Sequence, residues 1–254
     1  MESLGRMEQY GSTHIAVLVF TVVAAVVLVA AARRMRGTQA EGRALAIVGW
    51  ILLITSIAWI GWEMLPGNWD TERSLPFHLC DALRIITALA LITRAGWAIA
   101  ICYYWGLTLN IQSVLTPDLN YSYFIPIEFG EYWFVHITSL IAPIVFIWGL
   151  GYRPTWRGYA FVFVSTLVWA GMAGIANALT GANYMYLART PAGASALDLL
   201  GPWPVYIVWE ILLIAGVWAL MTWPWQTARA ASAPLIGRLG AVRRVPSSPA
   251  KNQR

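Results

Sequence analysis

Long apolar stretches separated by short polar loops dominate the hydropathy pattern of the chain. Seven stretches approach the roughly 20 residues that an α-helix needs to cross the hydrocarbon core of a bilayer. Because lipid offers no hydrogen bonds to the backbone, such stretches are expected to be helical. The predicted spans are His14–Ala32, Ala44–Met64, Phe77–Thr93, Trp97–Leu115, Tyr132–Leu150, Gly158–Leu179 and Trp203–Trp223. The pattern therefore predicts an all-α membrane protein, a seven-transmembrane-helix bundle within residues 1–226.

The composition excludes a soluble protein. Hydrophobic residues make up 59% of the chain and charged residues only 11%, whereas soluble domains carry about 25% charged residues. The 15 tryptophans also fit a membrane protein, because Trp is favoured at bilayer interfaces.

The basic residues predict the orientation, because Lys and Arg near helix ends favour the cytoplasmic side. If seven spans alternate, 13 basic residues lie on one side and three on the other. The larger group is Arg33, Arg34, Arg36, Arg43, Arg94, Arg153, Arg157, Arg229, Arg238, Arg243, Arg244, Lys251 and Arg254, and the smaller is Arg6, Arg73 and Arg189. We therefore expect the N-terminus outside and the C-terminus in the cytoplasm of a multi-pass protein of the cell membrane.

The last part of the chain, residues 227–254, is rich in Ala, Ser, Pro and Arg and has little to bury. It is expected to be a disordered basic cytoplasmic tail lying against anionic lipid. This tail and the cytoplasmic loops account for the net charge of +5, so no nucleic-acid partner is expected.

Polar residues within the predicted spans share one depth. Counted from the predicted helix ends, they fall in the outer half of the bundle, while the inner halves are almost wholly apolar. They are Glu63, His78, Cys80, Asp81, Arg84, Asn110, Gln112, His136, Asn177 and Glu210. Ionisable groups inside spans commonly mark functional sites. The depth pattern predicts a polar chamber open to the outer leaflet, although each residue taken singly also fits hydrogen bonding between helices.

The segment from His78 to Arg84 is the densest part of this pattern. His78, Asp81 and Arg84 recur at three-residue spacing and so share one stripe of a helix. Asp81 and Arg84 are expected to form a buried ion pair. As an alternative, Arg84 would hold a lipid phosphate through its fork of donors.

The two cysteines are predicted to have different roles. Cys80 lies near the outer edge and Cys102 near the inner edge, which is too far apart for a disulfide. Cys102 is expected to pack in the core. Cys80 is a candidate nucleophile, since a neighbouring base activates a thiol. His136, at similar depth, is the candidate base, although a lone membrane histidine is more often structural.

Several segments resemble the YwaF / transmembrane protein 164 family of integral membrane proteins over about residues 44–223. They are Leu75-Pro76-Phe77-His78-Leu79-Cys80, Tyr104-Trp105-Gly106 through Leu115-Thr116-Pro117-Asp118-Leu119, His136, Asn183-Tyr184-Met185-Tyr186-Leu187, and Leu197-Asp198-Leu199-Leu200-Gly201-Pro202-Trp203-Pro204. The eukaryotic members look like acyltransferases that move a fatty acyl chain between phospholipids through a cysteine and a histidine. They distantly resemble the androgen-induced-gene-type lipid hydrolases, which use Thr and His.

The resemblance implies that Cys80 is the nucleophile and His136 its base, acting on membrane phospholipids by acyl transfer or ester hydrolysis. Asn177, Asn110 or Arg84 is expected to donate to the oxyanion. Glu210 is expected to orient His136 or to be a structural carboxylate, and His78 and Asp81 to line the site. No cofactor and no metal ion is expected, and the sequence does not define an oligomeric state.

Two rival functions come from other classes. One is a small-solute or proton-coupled transporter, because such proteins also carry intramembrane His, Asp, Glu and Arg. The apolar inner halves count against it. The other is a non-enzymatic seven-helix sensor or assembly protein. The polar segment 181–202 is expected to lie on the outer interface, as a lipid gate or as an anchored loop.

Overall fold

The computed structural model describes residues 4–190 and 196–232. The helices are α1 (Ser12–Met35), α2 (Gln39–Glu63), α3 (Leu79–Thr93), α4 (Gly96–Tyr104), α5 (Ile111–Leu115), α6 (Ile125–Ile144), α7 (Trp156–Thr180) and α8 (Val205–Ser232). Two five-residue π-helical segments, Trp105–Leu109 and Val145–Gly149, follow α4 and α6 directly. Two short strands, β1 (Gly5–Arg6) and β2 (Asn120–Tyr121), form one antiparallel pair.

Five helices of the described residues are long and apolar enough to cross a membrane. They are Ser12–Met35, Gln39–Glu63, Ile125–Gly149, Trp156–Thr180 and Val205–Gln226. Their outer faces are apolar and exposed, as expected of surfaces that meet lipid rather than water: Val22, Ile54 and Leu212 expose 65%, 62% and 56% of their surface. The prediction of an all-α membrane protein is thus confirmed as a fold class, with five candidate spans in the described residues.

Two predicted spans correspond to shorter or interrupted helices. The third, predicted from Phe77, begins only at Leu79 as α3, which has 15 residues. The fourth, predicted as one helix to Leu115, consists of α4, a π-helical segment and α5. The last helix continues to Ser232, into the predicted tail, and residues 233–254 of that tail lie outside the described residues.

Contacts between loops define two ends of the bundle. At one end the guanidinium of Arg94, just after α3, lies 3.0 Å from the carboxylate of Glu41 in the first turn of α2. Arg33 of α1 donates to the carbonyl of Trp148 at 2.7 Å at this same end. At the other end Gly5 pairs with Tyr121.

The packed centre of the bundle is aromatic and lies among α3, α4, α7 and α8. Tyr104, Trp105 and Trp218 are almost fully buried there, together with Leu83 of α3. Their polar atoms are satisfied within the core: the indole of Trp105 donates to Thr166 Oγ1 at 2.8 Å, and the Tyr104 hydroxyl pairs with Thr222 at 2.6 Å. This core fixes α3 and α4 beside each other and so positions the polar residues at the start of α3 and just after α4.

Candidate functional site

Cys80 is the second residue of α3 and is half-buried. Its position in the first turn of α3 places it at the end of the helix where backbone N–H groups lack intrahelical acceptors. Asp81, Arg84 and Glu131 lie close enough to interact electrostatically with the thiol. The phenols of Tyr132 and Tyr186 are also within electrostatic reach of it.

His136 is buried in α6, and within residues 4–190 and 196–232 one side chain hydrogen-bonds its ring. Asn110, at the end of the π-helical segment that follows α4, contacts it at two points. Its Oδ1 lies 2.7 Å from His136 Nδ1, and its Nδ2 donates to the His136 carbonyl oxygen at 2.9 Å. The other ring nitrogen, Nε2, has no hydrogen-bond partner within the described part of the chain. The imidazole therefore has one hydrogen-bonded nitrogen, Nδ1, and one nitrogen, Nε2, that is available to bind a proton.

Tyr132 connects the surroundings of Cys80 and His136. Its ring centroid lies 4.4 Å from that of His136, one turn further along α6. Its hydroxyl donates to the carbonyl of Ser113 at 2.8 Å, and the phenol interacts electrostatically with the Cys80 thiol. The thiol and the imidazole thus share Tyr132 as a neighbour.

A buried charge cluster lies beside the thiol. The guanidinium of Arg84 forms an ion pair with Glu131 of α6, with side chains only 7% and 13% exposed. The predicted pair with Asp81 is present but longer, at 3.9 Å between Arg84 Nη2 and Asp81 Oδ1. Among the described residues, the buried Nε of Arg84 has no hydrogen-bond partner, and the charges of Asp81, Arg84 and Glu131 act electrostatically on Glu63 at the end of α2.

His78 is the N-cap of α3, and its backbone N–H donates to Asp81 Oδ2 at 3.2 Å, while its ring contacts the segments before and after the helices. Its Nε2 lies 2.9 Å from the carbonyl of Glu72, and its ring packs edge-on against Tyr184 at 5.0 Å. Burial raises the pKa of the Tyr184 phenol above its ordinary value. Its hydroxyl donates to the carbonyl of Thr71 at 2.5 Å. His78 belongs to an outer cap over α3.

Among the described residues, no hydrogen bond or ion pair joins Asn177 or Glu210 to the Cys80 thiol or the His136 imidazole. The Asn177 amide is used by Tyr184: its Nδ2 donates to the Tyr184 carbonyl at 3.0 Å, and its Oδ1 accepts from the Tyr184 N–H at 2.7 Å. Glu210, on α8, is half-buried near Tyr206. The side chain that orients His136 is Asn110.

The family model described as the TMEM164 family matches residues 9–222. The chain belongs to the TMEM164 family. No curated protein and no solved structure matches the chain. Family membership and the apolar helices together identify a multi-pass membrane protein, and the resemblance noted in the sequence is confirmed.

Within this TMEM164 family chain, Glu131 and Tyr132 are site residues that sequence reasoning missed. The predicted fifth span began at Tyr132, so Glu131 fell just outside it, although α6 begins at Ile125. Glu131 lies five positions before His136, and its depth would have placed it with the other polar residues had the helix start been set earlier.

The two cysteines are both free, as predicted. Cys102 is fully buried in α4, and its thiol donates to Thr87 Oγ1 at 3.4 Å. It is a packing residue at the centre of the helix pair α3 and α4. Cys80, by contrast, is the thiol that lies beside charged side chains. Among residues 4–190 and 196–232, no group of three or more His, Cys, Asp or Glu side chains is arranged to hold a metal ion.

Proposed function

We propose that the protein transfers or hydrolyses acyl esters of membrane phospholipids, with Cys80 as nucleophile and His136 as general base. The observation that supports this most is the state of the His136 ring. Its Nδ1 edge is held by Asn110 and its Nε2 edge has no described partner, on a helix whose Tyr132 also faces the Cys80 thiol. A histidine base needs one anchored and one available nitrogen.

The proposed reaction has two halves. His136 Nε2 takes the proton from Cys80, and the sulfur attacks the ester carbonyl of a lipid. The ester C–O bond breaks, the lyso-lipid oxygen receives the proton from the imidazolium, and a thioester remains on Cys80. A lyso-lipid hydroxyl or water then attacks the thioester and gives its proton to Nε2. The C–S bond breaks, and the proton returns to the sulfur.

An apolar cavity beside the charge cluster offers a route for the acyl chain. It has a volume of about 660 Å³ and lies between α2 and α6. Ile51, Trp59, Phe124 and Phe134 line it, and Glu131, the ion-pair partner of Arg84, forms part of its wall. A lipid tail in this cavity would carry its ester toward the polar groups near Cys80.

We also propose the finer topology of seven spans, with the N-terminus outside and the C-terminus in the cytoplasm of the cell membrane. The ion pair between Arg94 and Glu41 supports it, because it brings the end of α3 to the same end of the bundle as the start of α2. The excess of Arg in the loops at that end supports its cytoplasmic location. The outer end then holds Cys80, so the lipid ester is taken from the outer leaflet.

The decisive experiment compares purified variants in lipid supplied with an acyl-donor phospholipid and a lyso-lipid. Cys80→Ala and His136→Ala are each expected to lower acyl transfer or hydrolysis by at least about 10²-fold. Cys102→Ala is the matched control, since it removes the other free thiol. Full turnover in Cys80→Ala would exclude the proposed nucleophile. Proton or solute flux through vesicles without any turnover would favour the transporter.

A further inference from the structure

The two contacts between Asn110 and His136 determine where the imidazole carries its hydrogen. The His136 backbone carbonyl is an acceptor only, so the Asn110 atom facing it at 2.9 Å is the NH₂ group. The amide oxygen must then be the atom facing Nδ1 at 2.7 Å. Because a carbonyl oxygen only accepts, Nδ1 must carry the hydrogen. In the neutral ring, Nε2 is therefore left as the basic nitrogen.

The backbone conformation around Asn110 places its side chain against His136. The Asn110 N–H donates to the carbonyl of Trp105, five residues earlier, at 2.9 Å, which closes a π-helical turn. Single π-helical turns within α-helices are frequent at functional sites. In this turn Gly106 lies against α6 so closely that an added Cβ would be 2.4 Å from the Ser139 carbonyl oxygen. The close approach brings Asn110 within reach of both the ring and the carbonyl of His136.

We propose that Asn110 is a positioning residue, which holds His136 in the Nδ1–H tautomer so that Nε2 is the base for the Cys80 thiol. The proposal rests on the proposed function. Asn110 touches neither the thiol nor the lipid ester in the proposed reaction and acts only through His136. This role differs from that of an oxyanion donor, because it depends on the Asn110 amide oxygen, which accepts from Nδ1 of the ring.

Few charged or titratable groups surround the ring. Arg84 of α3 acts on His136 electrostatically, the Tyr132 ring of α6 packs against the imidazole at a tilt of 49°, and Cys80 of α3 neighbours Tyr132. The partner of Nδ1 is a neutral amide rather than a carboxylate. A neutral amide fixes the tautomer without adding the negative charge that would retain a proton on the ring.

The first test measures the tautomer directly by ¹⁵N NMR of the full chain with labelled histidine in lipid. The chain has three histidines, so the His136 signals are assigned by their loss in His136→Gln. Wild-type His136 is expected to be neutral with hydrogen on Nδ1. Asn110→Ala should lose this preference, whereas Asn110→Asp should keep it because an oxygen still faces Nδ1. Hydrogen on Nε2 in the wild type, or an unchanged tautomer in Asn110→Ala, would overturn the proposal.

The matched control is Asn183→Ala. Asn183 is also a buried amide with contacts to backbone on both sides: its Nδ2 donates to the Arg189 carbonyl at 2.8 Å, and its Oδ1 accepts from the Arg189 N–H at 3.0 Å. Its loss should lower stability without altering the His136 tautomer. A tautomer change in Asn183→Ala as large as in Asn110→Ala would show a general packing effect and overturn the specific role.

The second test uses acyl transfer. Asn110→Ala should lower kcat by about 10²-fold with little change in KM, since the lipid contacts remain. Asn110→Asp should restore part of kcat and move the acidic limb of the pH–rate profile to higher pH, because a carboxylate favours the protonated imidazole. Equal kcat in Asn110→Ala and wild type would overturn the proposal. If the wild type shows no turnover at all, the proposed function fails, and the tautomer measurement still decides the role of Asn110.

Discussion

At the scale of single residues, the polar groups around Cys80 and His136 form pairs that join different helices. Arg84 of α3 bonds Glu131 of α6, and Asn110 bonds His136 across 26 positions of sequence. In a bundle where lipid supplies no partner, each such pair satisfies groups that would otherwise be buried alone. The pairs therefore stabilise the helix arrangement and, at the same time, fix the orientation of the candidate base.

The pair between Arg84 and Glu131 can be tested with a double-mutant cycle. Glu131→Leu should lower the free energy of unfolding by about 3 kcal/mol, because it leaves a buried guanidinium with only the longer contact to Asp81. The double variant with Arg84→Met should lose clearly less than the sum of the single changes, since both charges are gone. Thermal or denaturant unfolding in one detergent measures all four proteins. Strictly additive losses would contradict a direct pair.

The sequence predicts which residues belong to this cluster better than it predicts which of them contact each other. The three-residue spacing of Asp81 and Arg84 predicts their contact, because that spacing is fixed by the helix. The stronger pair of Arg84 with Glu131 joins residues 47 positions apart. Their contact depends on how α3 packs against α6, and a single amino-acid sequence does not define this packing. The same holds for Asn110, whose depth was predicted but whose contact with His136 was not.

At the scale of elements, apolar stretches predict the long helices well but not the π-helical segments. Helix α2 and helix α7 follow their predicted spans closely, because twenty or so apolar residues in lipid have few alternatives to a helix. The π-helical turn at Trp105–Leu109 carries no such hydropathy signal. It accompanies the close approach of Gly106 to α6, which is a consequence of tertiary packing.

This close approach gives a prediction for Gly106. A Cβ at this position would lie 2.4 Å from the Ser139 carbonyl oxygen and 3.2 Å from Pro143, so Gly106→Ala must push α4 and α6 apart. Strain of this kind costs about 1 to 3 kcal/mol. The shift would also separate Asn110 from His136, so turnover should fall more than stability alone explains. Unfolding midpoint and kcat are measured on the same preparation.

Gly130→Ala is the matched control for Gly106→Ala. Gly130 lies on α6, the helix of His136, and a Cβ there would meet nothing within 4 Å. Alanine in a helix is more favourable than glycine by roughly 1 kcal/mol. Gly130→Ala should therefore leave stability unchanged or raise it. If both variants lose equal stability, the close approach at Gly106 is not the cause.

At the scale of the whole molecule, two topologies share the same positions for both termini. Seven spans place the C-terminus opposite to the N-terminus, and so do five spans formed by α1, α2, α6, α7 and α8 alone. The two differ in whether α3 and α4 cross the membrane or stay on the outer side as a hairpin. Both topologies place most of the basic residues on the cytoplasmic side. They differ for Arg94, which lies on that side with seven spans and on the outer side with five.

Ala95, in the turn between α3 and α4, decides between these topologies. Its neighbour Arg94 pairs with Glu41 at the start of α2, which places this turn beside the loop between α1 and α2. In a Cys80→Ala, Cys102→Ala background, Ala95→Cys should therefore label only from the cytoplasmic side with a membrane-impermeant maleimide. Thr38→Cys should label from that side also, and Asn68→Cys from the outside. Labelling of Ala95→Cys from outside would leave five spans and place the chemistry of Cys80 on a hairpin that does not cross the bilayer.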